Sequence, residues 1–103
     1  MIKSLNVLGI PYKIIYTNTA LETDADKEKE LFGQIDYWKR IIRVYSKDRT
    51  TEDMFITLLH EILHAIDTDL KLELFNKEGG EDLCDRLALS LSDTLIRNSF
   101  IKL

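Results

Sequence analysis

Residues 51–70 read Thr-Glu-Asp-Met-Phe-Ile-Thr-Leu-Leu-His-Glu-Ile-Leu-His-Ala-Ile-Asp-Thr-Asp-Leu. Apolar residues recur at Phe55, Leu58, Leu59, Ile62, Leu63 and Ile66. That spacing is a helical stripe, and its simplest reading is a core face. Thr50 or Thr51 supplies an N-cap, and Glu52 and Asp53 fall in the first turn, where the helix dipole favours negative charge. The stretch therefore predicts a helix from Thr51 to Leu70. The rest of its surface carries Asp53, Thr57, His60, His64 and Asp67. The string His60-Glu61-Ile62-Leu63-His64 thus sits at the margin of the buried stripe, where a half-open site belongs.

This string has the His-Glu-x-x-His pattern. Residues four apart lie one above the other on a helix, so His60 and His64 aim two imidazoles the same way, close enough for one zinc ion to bridge. Glu61 is turned by about 100° from His60 and reaches the same place from the side. Zinc takes imidazole nitrogen readily, and a catalytic site uses three protein ligands with a water in the fourth position. The intervening glutamate is then placed to act as general base on that water. The plain alternative is two part-buried histidines and a solvated glutamate on an ordinary amphipathic helix. Both histidines of the chain fall inside the pattern, the stretch is helical on independent grounds, and acidic residues follow on a second helix.

Working outward, 103 residues fit one domain, residues 1–103, with a modest core that needs no covalent staple. The net charge of −4 argues against nucleic acid as a partner, since phosphate binding needs a basic surface. Cys84 is the single cysteine, so no internal disulfide can form. It lies on an apolar face, reads as a small core residue, and fits a reducing cytoplasm. No run is long and apolar enough to span a membrane, and the N-terminus lacks the apolar core of a signal peptide.

Upstream of the helix, Gly9 and Pro11 punctuate the chain after Val7. Tyr12 to Thr17 is rich in β-branched and aromatic residues and reads as a strand. Thr19 to Glu30 is densely charged and reads as a solvated loop or short surface helix. Leu31 to Ile35 reads as a short strand in which Gly33 marks a bulge or close approach. Arg40 to Tyr45 is the clearest strand, and the two form a hairpin through Asp36 to Lys39. Downstream, Gly79-Gly80 breaks the chain, and Glu81 to about Asn98 predicts a second helix with Leu83, Cys84, Leu87, Leu91 and Leu95 as its stripe. The expected class is α+β: a small antiparallel sheet of about three strands packed on two main helices, with the stripes around Leu59 and Leu87 facing each other. Phe32, Tyr37 and Trp38 read as core residues or as contact residues near the hairpin.

A third metal ligand must come from elsewhere, and the second helix offers Glu81, Asp82 and Asp85. Glu81 and Asp85 are four apart and share a face. All three also serve as dipole partners of the helix start. Asp67, one turn after His64, is either a surface aspartate or the carboxylate that fixes the tautomer of a ligand imidazole.

The string His60-Glu61-Ile62-Leu63-His64-Ala65-Ile66-Asp67, followed after a gap by Glu81-Asp82-Leu83-Cys84-Asp85-Arg86-Leu87-Ala88, resembles the small zincin-like proteins of bacteriophages and prophages. These are related in pattern to the ImmA/IrrE-like and SprT-like metallopeptidases. The resemblance covers roughly Leu31 to Asn98. It implies a minimal zincin: a zinc-dependent peptidase acting on a peptide or protein, with His60 and His64 as ligands, Glu61 as base and Glu81 as third ligand. Asp85 is the reserve for that position. The chain has no downstream histidine, unlike larger relatives, and Tyr37 and Tyr45 are the candidates to face an oxyanion. An extended peptide can add to a sheet edge formed by Arg40 to Tyr45 or by Leu31 to Ile35. The competing reading is a catalytically weak or inactive zincin-fold binding module of phage origin with a structural metal. A metal-free α+β domain is the third.

Overall fold

A computed structural model describes residues 1–19 and 32–103. The charged segment from Ala20, and Leu31 with it, lie outside the described residues. The class is α+β, as expected: a four-stranded sheet with two helices. The strands are β1 (Ser4–Val7), β2 (Ile10–Thr17), β3 (Gly33–Asp36) and β4 (Ile41–Tyr45); the helices are α1 (Thr51–Leu70) and α2 (Gly80–Arg97).

The sheet has one strand more than expected, and it is mixed. Its order is β1-β2-β4-β3. β1 and β2 are antiparallel and close on Val7 opposite Ile10. The two residues between them, Leu8 and Gly9, have φ of 52° and 80°. Two central residues with positive φ make the turn whose twist matches a hairpin. A leucine in the first position hides that signal. Pro11 lies inside β2, opposite Asn6, but the pairing of β2 with β4 starts only at Lys13 opposite Ile41. Proline is tolerated there because it takes no donor from that ladder.

β2 and β4 run parallel, from Lys13–Ile41 to Thr17–Tyr45. β3 and β4 form the expected hairpin, with Gly33 opposite Val44 and Asp36 opposite Ile41. In its turn, Asp36 Oδ1 accepts from the backbone N–H groups of Trp38 (3.0 Å) and Lys39 (2.9 Å). The chain thus passes beyond the place of β4, makes β3, and returns to insert β4 between β3 and β2. β3 is left as an edge among the described strands.

The core fills the space between one sheet face and α1. Val7, Tyr12, Ile14, Ile42 and Val44 meet Met54, Phe55, Leu58 and Ala65. Thr50 caps α1: its Oγ1 accepts from the Asp53 N–H at 3.1 Å. At the other end Lys71 turns left-handed, and the N–H of Leu72 reaches back to the Asp67 carbonyl. Leu58 is 2% exposed, whereas Leu59 is half-buried, so the stripe that faces the sheet is rotated from one centred on Leu59.

The second stripe is corrected more strongly. α2 packs on α1 through Gly80, Cys84, Ala88 and Ser92, small residues at four-residue spacing. Of the expected stripe, Cys84 is buried and Leu95 packs against the core, whereas Leu83, Leu87 and Leu91 are exposed, Leu87 at 37%. Small residues on one face let the two helix backbones approach closely, and this fixes which face turns inward. Gly80 meets the connection instead: a Cβ there would fall 2.2 Å from the Phe75 carbonyl oxygen, so the chain can fold back over the start of α2 only without a side chain. Trp38 is 95% exposed, which removes it from the core. Among the described residues no helix is long and apolar enough to cross a membrane.

Candidate metal centre

His60 and His64 lie on the α1 surface that faces α2 across a cleft of about 600 Å³, floored by α1 and bordered by β3. Their Nε2 atoms are 3.1 Å apart. The first turn of α2 brings Glu81 over them. Glu81 Oε1 is 2.6 Å from His64 Nε2, and Oε2 is 3.2 Å from His60 Nε2. One carboxylate thus faces both imidazoles on the edges that face each other. Asp85, one turn further along α2, meets the other nitrogen of His60: Nδ1 lies 2.8 Å from Asp85 Oδ1. Asp82 points away and pairs with Arg86 at 3.0 Å.

Cys84 reaches the cluster from the buried side of α2. The possible ligand atoms of His60, His64 and Cys84 all lie within 4.8 Å of one another, and such a group can hold a metal ion. The thiol is fully buried and donates to the His60 carbonyl oxygen at 3.4 Å. Burial first, and then the charges of Glu81, Glu61, Asp85 and Asp67, push it up to about 12.

Glu61 is buried, with its carboxylate against Gly33 of β3. Burial, with the nearby Glu81 charge, raises its carboxyl from 4.5 to about 7. Gly33 makes room for it. A Cβ at that position would lie 2.6 Å from Thr57 Cγ2 and 3.0 Å from Glu61 Oε1, so β3 can approach α1 there only without a side chain. The glycine in the first strand of the hairpin marks a close approach, one of its two sequence readings.

Asp67 does not touch either imidazole. Its Oδ1 and Oδ2 accept from the backbone N–H groups of Leu74 (3.0 Å) and Phe75 (3.1 Å). This ties the α1–α2 connection down and buries Phe75, whose ring stands edge-on to His64 at 5.6 Å between centroids. The carboxylate set against the outer nitrogen of an imidazole is therefore Asp85, on His60 Nδ1. Sequence spacing put Asp67 and Asp85 each one turn from another site residue. It could not show that Asp67 would be consumed by the connection. Tyr37 also lines the cleft, and its hydroxyl accepts from Thr68 Oγ1 at 3.1 Å. Tyr45 is not among the lining residues.

No protein-family model matches the chain, and neither curated proteins nor solved structures give a match.

Proposed function

We propose that the protein is a minimal zinc-dependent peptidase of zincin type, with His60, His64 and Glu81 as the metal ligands and Glu61 as the general base. The observation that carries this reading is the single carboxylate of Glu81 set against both Nε2 atoms. Zinc–nitrogen bonds of about 2.0–2.1 Å at tetrahedral angles place two ligand nitrogens about 3.3 Å apart. The 3.1 Å separation of the two Nε2 atoms fits that requirement. Asp85 accepts from Nδ1–H of His60, which leaves Nε2 unprotonated and directed at the metal position.

Glu81 is preferred to Cys84 as third ligand because of where each side chain is already directed. The thiol donates to the backbone carbonyl of His60, whereas both Glu81 oxygens are set against the imidazole Nε2 atoms. Bound zinc would supply an acidified water and a polarised substrate carbonyl. Glu61, buried and held near neutrality, takes a proton and returns it to the leaving amine. Tyr37 has its acceptor site filled by Thr68, so its own O–H is free to donate into the cleft. β3, the edge strand beside Glu61, offers backbone groups to an extended peptide, while β4 is paired on both sides.

The competing reading is a binding module in which the metal is structural. Trp38, exposed at the tip of the β3–β4 hairpin, favours it as a contact residue. Incubation of zinc-loaded protein with a mixed peptide library separates the two. The peptidase reading expects cleavage by the wild type and its loss in Glu61→Gln with zinc content unchanged. Zinc-loaded wild type that cuts nothing supports the binding module.

A further inference from the structure

Arg49 is the only cation among the described residues that line the cleft, whose acidic residues are Asp53, Glu61, Glu81 and Asp85. It is held rigidly. Nη1 donates to the Tyr45 carbonyl at 2.8 Å, and Nη2 donates to the Asp53 carbonyl at 2.8 Å and to Thr57 Oγ1 at 2.5 Å. Its guanidinium also stacks over Phe32, 4.6 Å from the ring centroid. All of these acceptors are neutral. A guanidinium carries five N–H donors, so Nε–H and one Nη1–H have no acceptor among the described residues. No carboxylate lies in hydrogen-bond contact with it among those residues. A fixed planar cation of this kind matches a carboxylate better than any other common group.

Its place in the cleft is also defined. Thr57, which holds Nη2, is the residue whose methyl abuts Gly33, one helical turn before Glu61. Arg49 is therefore fixed one helical turn before the base, at the Phe32 end of β3. A peptide strand added antiparallel to β3 runs from the Tyr37 end to the Phe32 end. The residues that follow its scissile bond then pass Arg49.

We infer that Arg49 is a specificity-determining residue that binds a substrate carboxylate on the C-terminal side of the bond to be cut. The carboxylate is either an acidic side chain or the chain terminus. This rests on the peptidase reading for the position of the scissile bond, but not for the recognition itself.

The test uses zinc-loaded Glu61→Gln protein and calorimetry with acetylated penta-alanine probes. One probe has a free C-terminus, one is amidated, and a third set is amidated with each alanine in turn replaced by glutamate. The expected result is binding at least about tenfold tighter for a carboxylate-bearing probe than for the amidated parent, the scale of a hydrogen bond to a charged group. Tightening only with the free terminus assigns the chain end; tightening with an internal glutamate assigns a side chain. In Arg49→Gln the preference should vanish, and in Arg49→Lys it should persist in weakened form. Equal affinity for all probes overturns the inference, as does a preference that survives Arg49→Gln. Cleavage of the same probes by protein that retains Glu61 reports on the peptidase reading separately. Cleavage without carboxylate preference removes only the role of Arg49, and preference without cleavage removes only the peptidase.

Discussion

Asp85 Oδ1 lies 2.8 Å from Nδ1 of His60, while Nε2 of the same ring faces His64 and Glu81. The two nitrogens of one imidazole are therefore assigned by two carboxylates one turn apart on α2. A carboxylate on the far nitrogen fixes the tautomer and raises ligand basicity. Asp85→Asn should weaken zinc binding by about 10–100-fold while one ion still binds at saturation. Competition with a zinc chelator measures this. An affinity equal to wild type would detach Asp85 from the metal site.

Asp67 acts away from the imidazoles. Its carboxylate holds two backbone N–H groups of the α1–α2 connection, and the connection in turn presses Phe75 against His64. Asp67→Ala leaves a buried N–H without its acceptor, a cost of roughly 1–3 kcal/mol. Urea denaturation of metal-free protein should show that loss. Unchanged stability would mean that the connection is held by other contacts.

The sequence made the helices and the α1 site readable because each rested on a local rule. Thr50, Glu52 and Asp53 mark the start of α1, and the four-residue spacing alone puts His60 beside His64. Gly79-Gly80 marks the start of α2, and with it the face shared by Glu81 and Asp85. What stayed hidden depended on partners distant in sequence. Gly9 marks a break, but Leu8 before it is no turn residue, so nothing local announces a hairpin or the strand β1 ahead of it. The parallel pairing of β2 with β4 is decided by a crossover, not by either strand. The inward face of α2 follows Cys84, Ala88 and Ser92 because small side chains let α1 come close, and a hydrophobicity count favours the leucines instead. Asp67 is taken up by the connection that folds back over α1, and Asp85 stands where a tautomer-fixing carboxylate was expected of Asp67.

That choice of face has a direct consequence. Leu58→Ala removes a side chain wholly enclosed between α1 and the sheet and should cost roughly 2–5 kcal/mol. Leu87→Ala acts on an exposed flank and should cost about 0.5 kcal/mol or less. Equilibrium unfolding of the two variants checks the rotation of both helices. A larger loss from Leu87→Ala than from Leu58→Ala would contradict the packing described.

Glu61 gives the metal-free protein a distinctive pH dependence. Its folded carboxyl titrates at about 7 rather than 4.5, chiefly because it is buried. Between those values the folded chain keeps a proton that the unfolded chain has released. Stability therefore falls as pH rises through that window. Its penalty is absent below the unfolded value and complete above the folded one. Glu61→Gln should flatten this part of the curve. Denaturation of metal-free protein at several pH values on both sides of the window measures it. An identical slope in wild type and Glu61→Gln would show that Glu61 is ionised throughout.

The central claim is that two histidines of α1 and Glu81 of α2 hold one zinc ion. Inductively coupled plasma mass spectrometry on protein purified after zinc-supplemented expression tests it most directly. About one zinc per chain is expected in the wild type and in Cys84→Ser, with most of it lost in His64→Ala and Glu81→Ala. Metal-free wild type would contradict the claim. So would zinc that survives in Glu81→Ala and disappears in Cys84→Ser, since the third donor would then be the buried thiolate.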